Sequence, residues 1–136
     1  MKTNKSRVLL VEDELVSQQS EKILLEACGF VVDVASNATE GLDLLHDRAF
    51  NPFEKAYDAI FMDIMLPDIN GDVLTEVIRQ TEETVKFTPI IAVTGRELST
   101  GDRELFAKMG ITDVIIKPMT KESLDSIILK YKFLEK

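Results

Sequence analysis

YDAIFMDIMLPDING, residues 57–71, decides how the rest of the chain reads. Residues 57–62 read as the third strand, in which Ala59, Ile60, Phe61 and Met62 make a short apolar run that ends on one carboxylate, Asp63. Pro67 breaks the loop that follows, Asn70-Gly71 closes it, and a helical pattern resumes at Val73. In open α/β sheets ligands bind outside the carboxyl ends of the strands, so Asp63 stands where chemistry is done. An Asp after a strand is also an ordinary turn or N-cap residue. The other strand ends decide between these readings.

Toward the N-terminus, residues 7–11 (RVLLV) form a continuous apolar run, as in a strand buried on both faces, and stop at Glu12-Asp13-Glu14. Residues 15–28 follow as an amphipathic helix, with Val16, Ile23, Leu24 and Ala27 on the inward stripe and Gln18, Glu21, Lys22 and Glu26 elsewhere. Gly29 ends it in the manner of a left-handed cap. Residues 31–35 (VVDVA) read as the second strand. Asn37, with Glu40 three residues on, resembles a capping pair that opens a helix through Leu45. Residues 47–55 carry Asn51-Pro52 without a clear period and read as an irregular surface loop.

Toward the C-terminus, residues 73–83 read as a helix with Val73, Leu74, Val77 and Ile78 inward and Glu76, Arg79 and Glu82 outward. Pro89 introduces a strand over residues 90–93 that ends at Thr94-Gly95. The helix over residues 100–109 has only a narrow stripe of Leu105, Phe106 and Met109, and Gly110 stops it. Residues 114–116 form the fifth strand, ending at Lys117-Pro118, and Leu124, Ile127, Ile128 and Tyr131 mark a last helix. Five strands alternating with five helices imply a parallel sheet with right-handed crossovers and helices on both faces. The expected fold is one doubly wound α/β domain over residues 1–136.

A net charge of −8 argues against a nucleic-acid footprint, which needs a basic face. The only cysteine, Cys28, leaves no internal disulfide or thiolate cluster and reads as a small core residue. The apolar run at residues 8–11 is too short for a signal peptide, and no stretch reaches the length of a membrane span. The expected location is cytoplasmic, without membrane contact by this domain.

In a parallel sheet the carboxyl ends share one edge. That edge collects Glu12-Asp13, Asp63, Thr94 and Lys117. Three clustered carboxylates repel one another unless a cation neutralises them. Ligands that are oxygen only, with no His or Cys, favour a hard ion, Mg²⁺ in a cell. Lys117 is a point charge suited to a phosphate oxygen and Thr94 offers a hydroxyl. Asp63 is then a candidate nucleophile, because carboxylates form acyl phosphates.

These motifs, in this order, resemble the response-regulator receiver domains of two-component signalling, from Glu12-Asp13 through MDIMLPDING to Thr94-Gly95 and Lys117-Pro118. The resemblance implies a flavodoxin-like sheet of order 2-1-3-4-5. It implies that Asp63 takes a phosphoryl group from a phosphohistidine on a histidine kinase or histidine phosphotransfer protein. Mg²⁺ would sit on Asp13, Asp63 and the Met65 backbone carbonyl, with Glu12 acting mainly through water. Thr94 and Lys117 would hold phosphoryl oxygens, and Lys117-Pro118 would be cis. Leu15, Gln19 and Pro118 are the corresponding partner-docking candidates, and Met65 and Arg96 flank the path of the hydrolytic water. Such a domain catalyses its own phosphorylation and dephosphorylation without being a conventional enzyme. Met65 tilts the resemblance toward hybrid sensor-kinase receivers.

Val114 departs from the pattern, standing where the family usually has Tyr or Phe. Two other readings compete. A haloacid-dehalogenase-type phosphatase shares the strand-end Asp but needs a second Asp two positions on, where this chain has Met65, which transfers no proton. A pseudo-receiver acting only as an interaction module would have lost an acid, Asp63, Thr94 or Lys117, and all are present.

Overall fold

Val8, Leu9, Leu10 and Val11 are completely buried. Strand β1 (Arg7–Val11) has strands on both sides and helices over both faces, which is why its sequence is unbroken rather than alternating. The computed structural model describes residues 6–50, 56–81 and 87–132. After β1 come α1 (Leu15–Ala27), β2 (Val31–Ala35), α2 (Ala38–Phe50), β3 (Ala59–Asp63) and α3 (Gly71–Thr81). Strand β4 (Ile90–Thr94), α4 (Thr100–Met109), β5 (Asp113–Ile116) and α5 (Lys121–Tyr131) complete the order. All strand pairs are parallel and the sheet runs β2-β1-β3-β4-β5, as the resemblance implied.

Successive residues of each strand feed opposite faces. Val8, Leu10, Phe61, Ile91 and Val93 pack with Leu25 of α1 and with Leu124 and Ile127 of α5. Leu9, Val11, Ile60, Met62 and Ile90 pack with Ala38 and Leu45 of α2 and with Leu74 and Ile78 of α3. Ala92, Phe106 of α4 and Ile111 form a smaller group, and Val114, in place of an aromatic residue, lies half-buried against it. Each fully buried aliphatic side chain contributes about 1.5–3 kcal/mol.

Four helices differ from their sequence patterns. On α1 three of the four residues expected inward are turned outward: Val16 is 70% and Ile23 66% exposed, and Ala27 is exposed too. The face that packs is Glu21 and Leu25, with Leu24 and Cys28 partly buried. Apolar residues lie on both sides of this helix, so periodicity does not choose between them. Its rotation is set at the entry, where the Glu14 side chain caps Val16 and Ser17 and Gln18 Nε2 donates to the Glu12 carbonyl at 2.7 Å. Helix α2 runs on to Phe50, through half of the expected loop, whose residues 51–55 lie outside the described residues. Helix α3 begins at Gly71 and ends at Thr81, so Glu82 and the expected end at 83 also lie outside them. Val73 and Leu105, both expected inward, are exposed, because Leu74 and Phe106 take the core positions.

Gly29 and Gly110 end α1 and α4 at φ 100° and 106°, a region that favours glycine. Arg79, expected outward, instead spans α3 and the strand starts: Nη2 donates to the Gly110 carbonyl at 2.7 Å and Nη1 to that of Thr88 at 2.7 Å.

Candidate functional site

Register builds the site. Val11 is level with Met62, so Glu12 emerges directly beside Asp63, and Thr94 is level with Ile116, so Lys117 emerges beside it. Glu12, Asp63 and Thr94 are buried, while Asp13 reaches solvent. Carboxylate oxygens of Glu12, Asp13 and Asp63 all lie within 4.8 Å of one another.

Glu12 is held from three sides. Its N–H donates to the Ala35 carbonyl at 3.0 Å, Oε2 accepts from the Glu14 N–H at 3.0 Å, and Oε1 lies 2.9 Å from Lys117 Nζ. Asp63 Oδ1 accepts from the Met65 N–H at 3.1 Å, and Oδ2 lies 3.6 Å from Lys117 Nζ. Lys117 is held in turn by its N–H, which donates to the Thr94 carbonyl at 2.7 Å, and its bond to Pro118 is cis. Gly71 closes the loop after Asp63: its N–H donates to the Ile64 carbonyl at 2.7 Å. A Cβ there would stand 2.3 Å from the Asp63 carbonyl oxygen, so no larger residue fits.

Charge in this pocket is one-sided. Burial pushes the Asp63 carboxyl up to about 6, the Met65 N–H pulls against it, and Glu12 adds to it. Glu21, reaching in from α1, is 3% exposed, and burial together with Glu12 raises it to about 7. Burial works to lower Lys117, but Glu12 and Asp63 outweigh it and hold the ammonium above its ordinary range. Among the described residues one ammonium thus shares the pocket with four carboxyls, those of Glu12, Asp13, Glu21 and Asp63. Oxygens on a single octahedral Mg²⁺ stand about 3–4 Å apart, so the oxygens of Glu12, Asp13 and Asp63 fit such an ion with small side-chain movements.

The remaining candidates lie around the rim. Met65 is 72% exposed at the mouth. Arg96 is turned aside, with Nη1 3.8 Å from Asp102 Oδ2, and its N–H approaches Thr94 Oγ1 at 3.5 Å. Leu15 and Gln19 are exposed on α1, and Pro118 is exposed at the other rim. Val16 and Ile23 extend the exposed apolar surface of α1. Three participants escape a reading by motif. Glu21 and Gln18 read only as residues off the inward stripe of α1, and Asp68 only as part of the loop broken by Pro67. Only the Pro67-Asp68 sequence, typical of chain entering a turn or cap, carried a local signal. No helix among the described residues is long and apolar enough to cross a membrane.

Comparison with known proteins identifies the family. Residues 8–129 match the response regulator receiver domain family. The chain is 33% identical over 124 residues to the transcription factor SKN7 of Saccharomyces cerevisiae, covering 91% of this chain and 18% of that protein. It is 34% identical over 123 residues to hybrid signal transduction histidine kinase I of Dictyostelium discoideum, covering 90% of this chain and 7% of that one. The chain therefore spans a small part of these relatives. Among solved structures, a chemotaxis protein of Vibrio cholerae superposes with a TM-score of 0.82 at 24% identity, covering 94% of this chain and 99% of that one, which shows the fold alone. The receiver domain of a sensor histidine kinase from Pseudomonas aeruginosa PAO1, with a magnesium ion coordinated in its active site cleft, superposes with a TM-score of 0.75 at 30% identity, covering 94% and 98%. The chain belongs to the response regulator receiver domain family of two-component signalling.

Proposed function

We propose that this domain accepts a phosphoryl group on Asp63 from a phosphohistidine of a histidine kinase or phosphotransfer protein. The observation that carries the reading is the buried Asp63 carboxylate with Lys117 Nζ at 3.6 Å and the Met65 N–H at 3.1 Å, beside two further carboxylates. An Asp63 oxygen bonds to phosphorus, the P–N bond breaks, and its electron pair returns to the imidazole nitrogen. Lys117 and the Thr94 hydroxyl would hold the transferred oxygens and stabilise their charge. The acidic cluster supplies a site for Mg²⁺ on Asp13, Asp63 and the Met65 carbonyl, with Glu12 acting mainly through water. When bound, the ion neutralises charge and orients the phosphoryl group. A magnesium ion in the cleft of the similar Pseudomonas aeruginosa receiver supports that assignment.

Leu15, Gln19, Val16 and Ile23 of α1, together with Pro118, form the surface offered to the histidine-bearing partner. Met65 and Arg96 border the approach of the water that hydrolyses the acyl phosphate. Because Arg96 is engaged by Asp102, its influence on that water acts through the loop after β4. The test is intact mass after incubation with Mg²⁺ and acetyl phosphate. Wild type gains one phosphoryl group and Asp63→Asn gains none; equal labelling of the two would sink the assignment.

A further inference from the structure

Asp68 is exposed and lies at the far end of the loop from Asp63, yet its carboxylate is fully occupied. Oδ1 accepts from the N–H groups of Ala38 at 2.9 Å and Ile69 at 3.0 Å. Oδ2 accepts from the Thr39 N–H at 3.0 Å and the Thr39 hydroxyl at 2.9 Å. Residue 68 thus caps α2 from another loop, satisfying two of the backbone donors that a helix leaves free in its first turn. The Ala38 N–H, followed by the two Thr39 donors, holds the Asp68 carboxyl well below the usual range, so it stays charged.

Helix α2 already has its own cap, because Asn37 Oδ1 accepts from the Glu40 N–H at 2.8 Å. What Asp68 adds is a tie between loops. Glu40 accepts from the Ser36 N–H at 2.8 Å, Ser36 Oγ accepts from Gln18 Nε2 at 3.1 Å, and the same Nε2 donates to the Glu12 carbonyl at 2.7 Å. The β1–α1 connection, the start of α2 and the loop at residues 64–70 therefore form a hydrogen-bonded collar around the acidic pocket. One end holds Glu12. The other holds the loop whose Met65 N–H sits on Asp63.

The geometry points to Asp68 as a positioning residue. Through α2 it fixes the loop at residues 64–70, so that cation binding and phosphoryl uptake at Asp63 depend on a carboxylate that touches neither. The inference rests on the phosphoacceptor reading, but its first measurement does not.

That measurement is amide hydrogen exchange, without Mg²⁺, in wild type, Asp68→Ala and Asp68→Asn. In Asp68→Ala the amides of Met65 and Gly71 should exchange about tenfold faster, with Leu10 in β1 unchanged, the size expected for loss of a cap. Asp68→Asn, which keeps an acceptor for the Ala38 N–H, should fall between the two. A calorimetric Mg²⁺ titration should show a severalfold weaker constant for Asp68→Ala. With acetyl phosphate, half-maximal labelling should need correspondingly more Mg²⁺, while the rate at saturation changes less. Faster exchange confined to Ala38 and Thr39, or equal acceleration throughout the sheet, would reduce Asp68 to a helix cap or a general stabiliser and overturn the inference. An unchanged Mg²⁺ constant would overturn it as well. Wild type that takes up no phosphoryl group would refute the phosphoacceptor reading instead, leaving exchange and calorimetry to judge Asp68.

Discussion

Two charged clusters sit on this sheet, and they are built in opposite ways. At the β2 edge one carboxylate serves several donors. Asp33 Oδ1 pairs with Arg7 Nη1 at 2.8 Å, and Oδ2 accepts from the Tyr57 hydroxyl at 2.7 Å with Arg48 Nε at 3.8 Å. The Arg48 guanidinium lies 5.0 Å from the centre of the Tyr57 ring, a cation–π contact. Burial and then Asp33 push the Tyr57 phenol well above its ordinary range, so it remains a donor. At the carboxyl edge the ratio is inverted, with Glu12, Asp63 and Glu21 acting on Lys117 and Asp13 beside them. Paired charges hold a fold together, whereas a surplus of one sign kept in place by backbone hydrogen bonds attracts an opposite charge from outside the chain.

Removing Lys117, the one cation of the second cluster among the described residues, should have the largest effect. Lys117→Ala is expected to slow labelling by acetyl phosphate roughly 10²–10³-fold, the usual loss for one preorganised charge on a transferring group. The decisive reading is the single-turnover rate at saturating Mg²⁺. A rate within threefold of wild type would mean that Lys117 only balances Glu12.

Glu21 tests the surplus through pH. Its folded pKa of about 7 lies above the ordinary carboxyl value of 4.5, so between those values the folded chain keeps a proton that the unfolded chain has released. Stability therefore falls as pH rises through that window and levels off above it. The contribution is about 3 kcal/mol. In Glu21→Gln, urea unfolding in EDTA should show a much flatter profile between pH 4.5 and 7, with a remaining slope from Asp63, which is raised in the same sense. Superimposable profiles would place Glu21 outside the electrostatic network.

The satisfied cluster should respond in stability alone. Asp33→Ala leaves Arg7 and Tyr57 without a shared acceptor and is expected to cost about 2 kcal/mol. Labelling at a temperature where the variant remains folded should match wild type. A labelling defect of tenfold or more would show that the two clusters communicate.

Mg²⁺ itself should give the smallest change. At ten times its dissociation constant it stabilises the fold by about 1.4 kcal/mol, read as a rise in thermal midpoint that Asp13→Ala abolishes. Coincident wild-type melts with and without millimolar Mg²⁺ would mean that the surplus is not filled by this ion.

The strands and the catalytic candidates were legible because their signals are local. A five-residue apolar run names a buried strand, and a polar residue at its end names the edge. That is why Glu12, Asp13, Asp63, Thr94 and Lys117 could be placed on one edge of the sheet, and why β1 and β2 end where the pattern said. Helix faces were less legible. On α1 apolar residues flank both sides, and Val16 and Ile23 were assigned inward although they form an outer surface beside the pocket. Glu21, placed off the inward stripe, is buried. The Asp47–Lys55 reading failed in its first half because Asp47 and Arg48 continue α2 before Asn51-Pro52 is reached.

By itself the sequence determined the class of the fold, the alternation of its elements and the chemistry of its strand ends, since each follows from residues within a few positions of one another. Tertiary structure decided which side of α1 is buried and that Asp68 caps a helix 30 residues away. It also decided that Lys117 reaches both Glu12 and Asp63. These depend on register and on the rotation of packed elements, which arise only when distant segments compete for the same core and the same unsatisfied donors.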